Sequence, residues 1–312
     1  MRKFILDTDI GADCDDVAAI YYLLGKAADG ECDVPAITLC TARAYAPAAV
    51  SAFLSDCKRD DIAVGAYKGE PLACDNFDNY AEAIAKSANK TERAACAPKI
   101  SACEDAVALM RKTLAQNDKT EIICIGPACN VAKLLQSGAD EYSVKTGEEL
   151  VKERAGKLYI MGGAFEFGGE KPFTEWNIEQ DIESAKLVFE KYPNEIVVCP
   201  SETGGKVATV IGVTRSLLND AMTEFFKTVD KNAGINFTQN AARTRPSWDP
   251  LTCMVALYEN SFNYSARGNV AVGADGITRF TASESGKHAY LTVNNDFAKT
   301  EKSLNEYLKN LW

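Results

Sequence analysis

Short apolar, partly β-branched runs alternate with helix-like segments through most of the chain, and this alternation narrows the choice of fold more than any other feature. The runs Lys3–Leu6, Val34–Cys40, Ile62–Gly65, Glu121–Ile125, Lys157–Met161 and Glu195–Cys199 have the length and residue types of buried strands. Between and after them, Asp16–Lys26, Ala46–Asp56, Glu104–Gln116, Asn130–Gln136, Ile182–Lys191 and Thr223–Lys231 read as helices. In the first, Ala19, Ile20 and Leu23 share one face at helical spacing. The order implies right-handed crossovers: an α/β fold with an open, mostly parallel sheet and helices on both faces. Asn263–Val293 reads as short strands and turns, with a hairpin signal at Asp275-Gly276, and is expected to form a small C-terminal β-rich appendage. Ala66–Lys99 is polar and rich in Ala, Lys and Asn, as a flap or irregular insertion would be. No repeat or linker interrupts the chain, so residues 1–312 are read as one domain.

The composition, 46% hydrophobic and 25% charged, suffices for a full core. A net charge of −10 without a Lys/Arg-rich run argues against nucleic acid as a partner. No apolar stretch is long enough to span a membrane. The chain enters its first strand at once, with no signal peptide, so a cytoplasmic location is expected; a secreted protein whose leader has been removed is the alternative. Eleven cysteines include Cys40, Cys124, Cys199 and Cys253 in apolar runs, where thiols behave as small core side chains. None has CxxC spacing, which speaks against zinc. Cys74, Cys96 and Cys103 lie in a polar stretch and are the candidates for pairing in an oxidising compartment. His288 is the sole histidine.

Five carboxylates, Asp7, Asp9, Asp13, Asp15 and Asp16, crowd the junction of the first strand and first helix. Asp7 and Asp9 are two apart in an extended segment and would point the same way. Asp15 and Asp16 fall in a first helical turn, where the positive dipole end favours anions. Ordinary capping accounts for one or two acids there, not for five. A hard divalent cation would neutralise them. Calcium suits the site better than magnesium, because it accepts ~6–8 oxygen ligands in a flexible arrangement. In a parallel sheet, ligands bind beyond the carboxyl ends of the strands. Gly126-Pro127, Gly162-Gly163 and Pro200-Ser201-Glu202 fall at such ends. Asp249, in Ser247-Trp248-Asp249-Pro250, sits where a helix would begin, and capping alone would explain it. Glu175 and Asn177 offer an acceptor and an amide to sugar hydroxyls; in isolation they are surface-loop residues.

Together these segments resemble the inosine/uridine-preferring nucleoside hydrolase family. Asp7-Thr8-Asp9-Ile10-Gly11-Ala12-Asp13-Cys14-Asp15-Asp16 looks like that family's Asp-x-Asp opening, two residues longer. Ile125-Gly126-Pro127-Ala128-Cys129-Asn130, Met161-Gly162-Gly163, Glu175-Trp176-Asn177 and Trp248-Asp249-Pro250 follow in family order. The resemblance implies an open α/β fold and a calcium ion bound by Asp9, Asp16, Asp249 and the carbonyl of Ile125. It implies that Asp15, Glu175 and Asn177 hold a ribose, that Asp9 deprotonates the attacking water, and that the chain forms a homodimer or homotetramer. The implied reaction is hydrolysis of a ribonucleoside, or a related ribosyl compound, to free base and ribose.

Three departures stand out. Trp248 occupies the place of a His held to protonate the leaving base, and would stack on a purine or simply pack in the core. Arg43 stands near a usual Asn and would contact the substrate or occupy the rim. An Asn that precedes Glu175 in many members is replaced around Gly168-Gly169-Glu170. Two other readings compete: a calcium-dependent nucleoside- or sugar-binding protein that has lost turnover, and a haloacid dehalogenase-type phosphatase. The latter also opens Asp-x-Asp but has no role for Asp15, Asp16 and Asp249.

Overall fold

The structure, a computed structural model, describes residues 1–88, 103–210, 216–237 and 243–311. Its strands are β1 (Arg2–Thr8), β2 (Cys32–Leu39), β3 (Ala63–Ala66), β4 (Glu104–Asp105), β5 (Thr120–Cys124), β6 (Ala155–Met161), β7 (Ile196–Cys199), β8 (Ala208–Val210), β9 (Thr244–Pro246), β10 (Gly268–Val272), β11 (Thr278–Ala282) and β12 (His288–Tyr290). Among the described residues, ten strands join one sheet in the order β11-β10-β12-β7-β6-β5-β1-β2-β3-β4. Every pairing from β12 to β4 is parallel, and β10 runs antiparallel to both its neighbours. β8 and β9 form a separate antiparallel pair.

The helices are α1 (Asp15–Ala28), α2 (Ala46–Asp56), α3 (Ala81–Ala88), α4 (Ala106–Gln116), α5 (Cys129–Gln136), α6 (Gly147–Arg154), α7 (Trp176–Gln180), α8 (Ile182–Lys191), α9 (Ser201–Gly204), α10 (Leu217–Asn232), α11 (Trp248–Leu257) and α12 (Phe297–Lys309). Alternation along β1 divides the core. Phe4 and Leu6 pack with α1, α2, α10, α11 and α12 on one face, whereas Ile5 packs with α4, α5, α6 and α8 on the other. α1 is buried along its length from Asp15 to Gly25, beyond the single face its periodicity suggests, because α2, α10, α11 and α12 enclose it.

The β-rich C-terminal segment is present, with a β10–β11 hairpin closed by Gly273–Ile277. It is no separate appendage: β12 docks parallel to β7, with His288 opposite Ile196. Of the stretch 66–99, residues 89–99 lie outside the described residues. Its described part is tied to the acidic loop: the Asn79 backbone N–H donates to Gly11 O at 2.9 Å, and Gly11 N–H donates to Tyr80 Oη at 3.0 Å. Cys40, Cys124, Cys199 and Cys253 are buried. Cys74 and Cys103 are free thiols, and Cys96 lies outside the described residues. No helix among the described residues is long and apolar enough to cross a membrane.

His288 is buried in β12, and its Nδ1 accepts the Val270 N–H at 2.8 Å. Burial, with Lys287 beside it, pushes its pKa down to about 4. The unfolded chain therefore takes up this proton first, and the fold loses stability as pH falls from about 6.5 toward 4. Denaturant titrations should show wild type losing about 2–3 kcal/mol more than His288→Gln across that window. Equal slopes would contradict this placement.

Candidate active site

The sheet order reverses between β1 and β5: β2, β3 and β4 extend to one side, β5, β6 and β7 to the other. At such a switch point the loops leaving neighbouring strands diverge and open a crevice. A cavity of about 560 Å³ lies there, with Asp9, Asp15, Asp16, Ile125, Asp249 and Asn177 among its lining residues.

Its floor is made by two helix starts and a turn. Asp15 and Asp16 open α1, and Asp249 lies in the first turn of α11. Asp15, Asp16 and Asp249 are all buried, and each offers a carboxylate oxygen within 4.8 Å of the other two. The Asp249 N–H donates to Asp15 Oδ2 at 3.2 Å, and Thr8 Oγ1 donates to Asp16 Oδ1. Burial, then mutual repulsion and that of Asp9 and Asp13, holds all three pKa values well above the ordinary carboxylate range. The donor set is all oxygen and all potential anion, which fits a hard divalent cation. Three clustered acids without one would have to take up protons.

Asp9 lies just past the end of β1 and lines the same cavity, although it falls outside the three-carboxylate cluster. Burial pushes its pKa up to about 6, against the pull of Arg43. Gly11, at φ +122°, makes the turn that follows. The loop after β5 comes close: a Cβ on Gly126 would stand 2.8 Å from Asp9 Cβ and 2.6 Å from Cys40 Sγ, so only glycine fits there.

Asp7 does not join Asp9 in the cavity, against the expectation from their spacing. It is still within β1 and is fully buried, accepting hydrogen bonds from Thr38 Oγ1 at 2.6 Å and Asn130 Nδ2 at 2.8 Å. Burial raises its pKa to about 7. Asp13, which also lines the cavity, pairs with Arg245, whose Nε lies 2.8 and 2.9 Å from its two oxygens and whose Nη2 also donates to it.

Arg43 stands neither at the cavity rim nor against a substrate position, contrary to the sequence expectation. It is almost wholly buried beneath the acidic loop and is absent from the cavity lining. Its Nη1 donates to the carbonyl of Asp9 and its Nη2 to that of Cys74 at 2.8 Å, while Nη1 lies 3.9 Å from Asp9 Oδ2. It braces the loop from below and is not placed to contact a substrate.

On the opposite wall, Glu175 caps α7. Its oxygens accept the N–H groups of Asn177 at 3.0 Å, Gly163 at 3.1 Å and Ile178 at 3.2 Å. Burial nonetheless pushes its pKa up to about 7. Asn177 directs its amide nitrogen to Met161, 3.3 Å from the carbonyl oxygen and 3.1 Å from sulfur, so its own carbonyl is the end it can offer a hydroxyl.

Trp248 lines the cavity, packs against Gly204 and donates its indole N–H to Ser201 O at 2.9 Å. Phe225, Phe226 and Val229 of α10, with Phe77, Phe173 and Trp176, complete an apolar wall that no sequence motif marks. The spacing of Phe225, Phe226 and Val229 on one helix is the available signal, but it reads equally as core. Arg245, three residues before Trp248, is likewise unmarked in the sequence.

A sequence profile described as inosine-uridine preferring nucleoside hydrolase matches residues 4–301. The pyrimidine-specific ribonucleoside hydrolase RihA of Escherichia coli (strain SMS-3-5 / SECEC) is 37% identical over 86 residues, 27% of this chain. That match spans about a quarter of the relative's length, 24%. Among solved structures, a plant nucleoside hydrolase is similar with a TM-score of 0.74 at 22% identity, covering 99% of both chains. An inosine-uridine preferring nucleoside hydrolase from Bacillus anthracis is similar with a TM-score of 0.67 at 19% identity, covering 100% of this chain and 99% of that one. At these identities the structural likeness is one of fold.

Proposed function

The chain belongs to the inosine-uridine preferring nucleoside hydrolase family, and from that premise we propose that it hydrolyses the N-glycosidic bond of ribonucleosides, or of a related ribosyl compound, in a calcium-dependent reaction. The observation that carries this reading is the meeting of Asp15, Asp16 and Asp249, distant in sequence, in one buried cluster beside Asp9, Glu175 and Asn177.

Asp9, Asp16, Asp249 and the Ile125 carbonyl would hold the calcium, and a shell of ~6–8 oxygens has room for Asp15 at its edge. When bound, the ion lowers the pKa of a neighbouring water and anchors a vicinal diol. The remaining work falls to the protein's own groups. Asp15, Glu175 and Asn177 hold the ribose hydroxyls and fix the sugar for attack. Asp9 takes the proton of the attacking water as oxygen bonds to the anomeric carbon. The buried acids stabilise the positive charge that develops on the sugar. Trp248 and the apolar wall receive the flat base.

Two observations weigh against the phosphatase alternative. Asp7, the first acid of the Asp-x-Asp pair, is enclosed by Thr38 and Asn130, and the family profile covers nearly the whole chain. The binding-only alternative is separated by experiment. On incubation with inosine, uridine, adenosine and guanosine, at least one should yield free ribose in step with free base. Binding without ribose release would overturn the hydrolase reading.

A further inference from the structure

The family's usual acid for the leaving base is replaced here by Trp248, and the sole histidine is buried in β12. Something else must meet the negative charge that develops on the base. The cavity's apolar wall carries no acid. Its amide-bearing neighbour Asn79 donates from Nδ2 to the Ala12 carbonyl. Among the described residues lining the cavity, Arg245 is the one cation.

Arg245 is also held in place. Its guanidinium lies 5.2 Å from the Trp248 ring centroid and 5.3 Å from that of Phe225. Asp13 occupies its Nε and Nη2 edge. Nη1 has no hydrogen-bond partner among the described residues, and the side chain retains 31% exposure. A planar fork clamped on one edge, set over two aromatic rings and open on the other edge is a preorganised donor. It lies against Trp248 and Phe225, which belong to the wall assigned above to the base.

We propose that Arg245 is a catalytic residue whose Nη1 N–H donates to the departing base. The inference rests on the hydrolase reading above. In the step, the bond from the anomeric carbon to the base nitrogen breaks and its electron pair leaves with the base. The water oxygen bonds to the anomeric carbon and gives its proton to Asp9. The base, its charge stabilised by Arg245, takes a proton from solvent, and Asp9 returns one to solvent. Arg245 keeps its own protons throughout. Asp13, the additional acid of the lengthened opening loop, acts as the positioning residue that sets the guanidinium.

The test compares inosine, whose hypoxanthine is a poor leaving group, with 4-nitrophenyl β-D-ribofuranoside, whose nitrophenolate departs without help. Arg245→Met should lower kcat on inosine by ~10²–10³-fold but on the aryl riboside by less than ~5-fold, because removing a fixed donor costs only where charge needs it. Arg245→Lys keeps a cation for Asp13 and should show the same split at reduced size; it carries the test if the Met variant does not fold. Equal losses on the two substrates, in whichever variant folds, would overturn the inference while leaving the hydrolase reading intact. A wild-type protein that cleaves neither substrate would overturn both.

Discussion

Asp9→Ala is expected to abolish ribose release, lowering kcat by at least ~10³-fold, with the fold retained. Asp9 sits beyond the last residue of β1, so its removal takes nothing from the strand ladder. Its backbone carbonyl, which survives the substitution, keeps its bond to Arg43. The side chain faces three other buried acids, so deleting it also relieves repulsion. The Asp9 carboxylate lines the cavity just past the end of β1, where it can accept a proton from a water held over the acidic floor. No other cavity acid replaces it, since Asp15, Asp16 and Asp249 form the cluster, Glu175 is bound by three N–H groups and Asp13 is paired with Arg245. Steady-state ribose release and a circular dichroism melt check both halves. Full activity in the folded variant would remove Asp9 from the mechanism.

Removing the cation should change how stability depends on pH. In the protein without metal, Asp7 and Glu175 are raised to about 7 and Asp9 to about 6, with Asp15, Asp16 and Asp249 also raised well above the usual range. A carboxyl that holds its proton more tightly when folded favours the fold at low pH. That advantage is lost as pH rises from about 4 through the folded pKa. A tenfold difference in proton affinity between the folded and unfolded chain corresponds to about 1.4 kcal/mol, so chelated protein should lose several kcal/mol between about pH 5 and 8. His288 acts in the opposite sense below about 6.5, one group against six. Calcium at ~1,000 times its Kd should return about 4 kcal/mol at pH 8 and much less at pH 5, where it must displace protons. Calorimetric melts at about pH 5, 6.5 and 8, with chelator and with calcium, measure this. A chelated protein whose melting temperature is flat or rises over that range would contradict the account.

The sheet was readable from sequence because buried parallel strands announce themselves as apolar runs, and all six are strands in the structure. The helices α6 and α12 are poor in apolar residues and are not marked by apolar runs, although their caps are visible. Thr146 and Glu149 form a capping box at the start of α6, and Asp296 accepts the Lys299 N–H at the start of α12. The docking of β12 on β7 depends on pairing across about ninety residues, which local pattern does not encode. At the site, Asp15, Asp16 and Asp249 were readable as acids at helix starts. Asp7 and Arg43 depart from the sequence expectation for one reason: spacing does not say which polar groups the interior will satisfy. Asp7 is satisfied by Thr38 and Asn130, and Arg43 by carbonyls of the loop it supports. The apolar wall comes from α10 and from loops remote from the acids, so no motif marked it.

The most direct test of the convergence of the acids on one cation is a calorimetric calcium titration of chelator-treated protein at neutral pH. One calcium site per chain in wild type, absent in Asp249→Asn, is the expected result. No binding in wild type, or undiminished binding after the substitution, would contradict it.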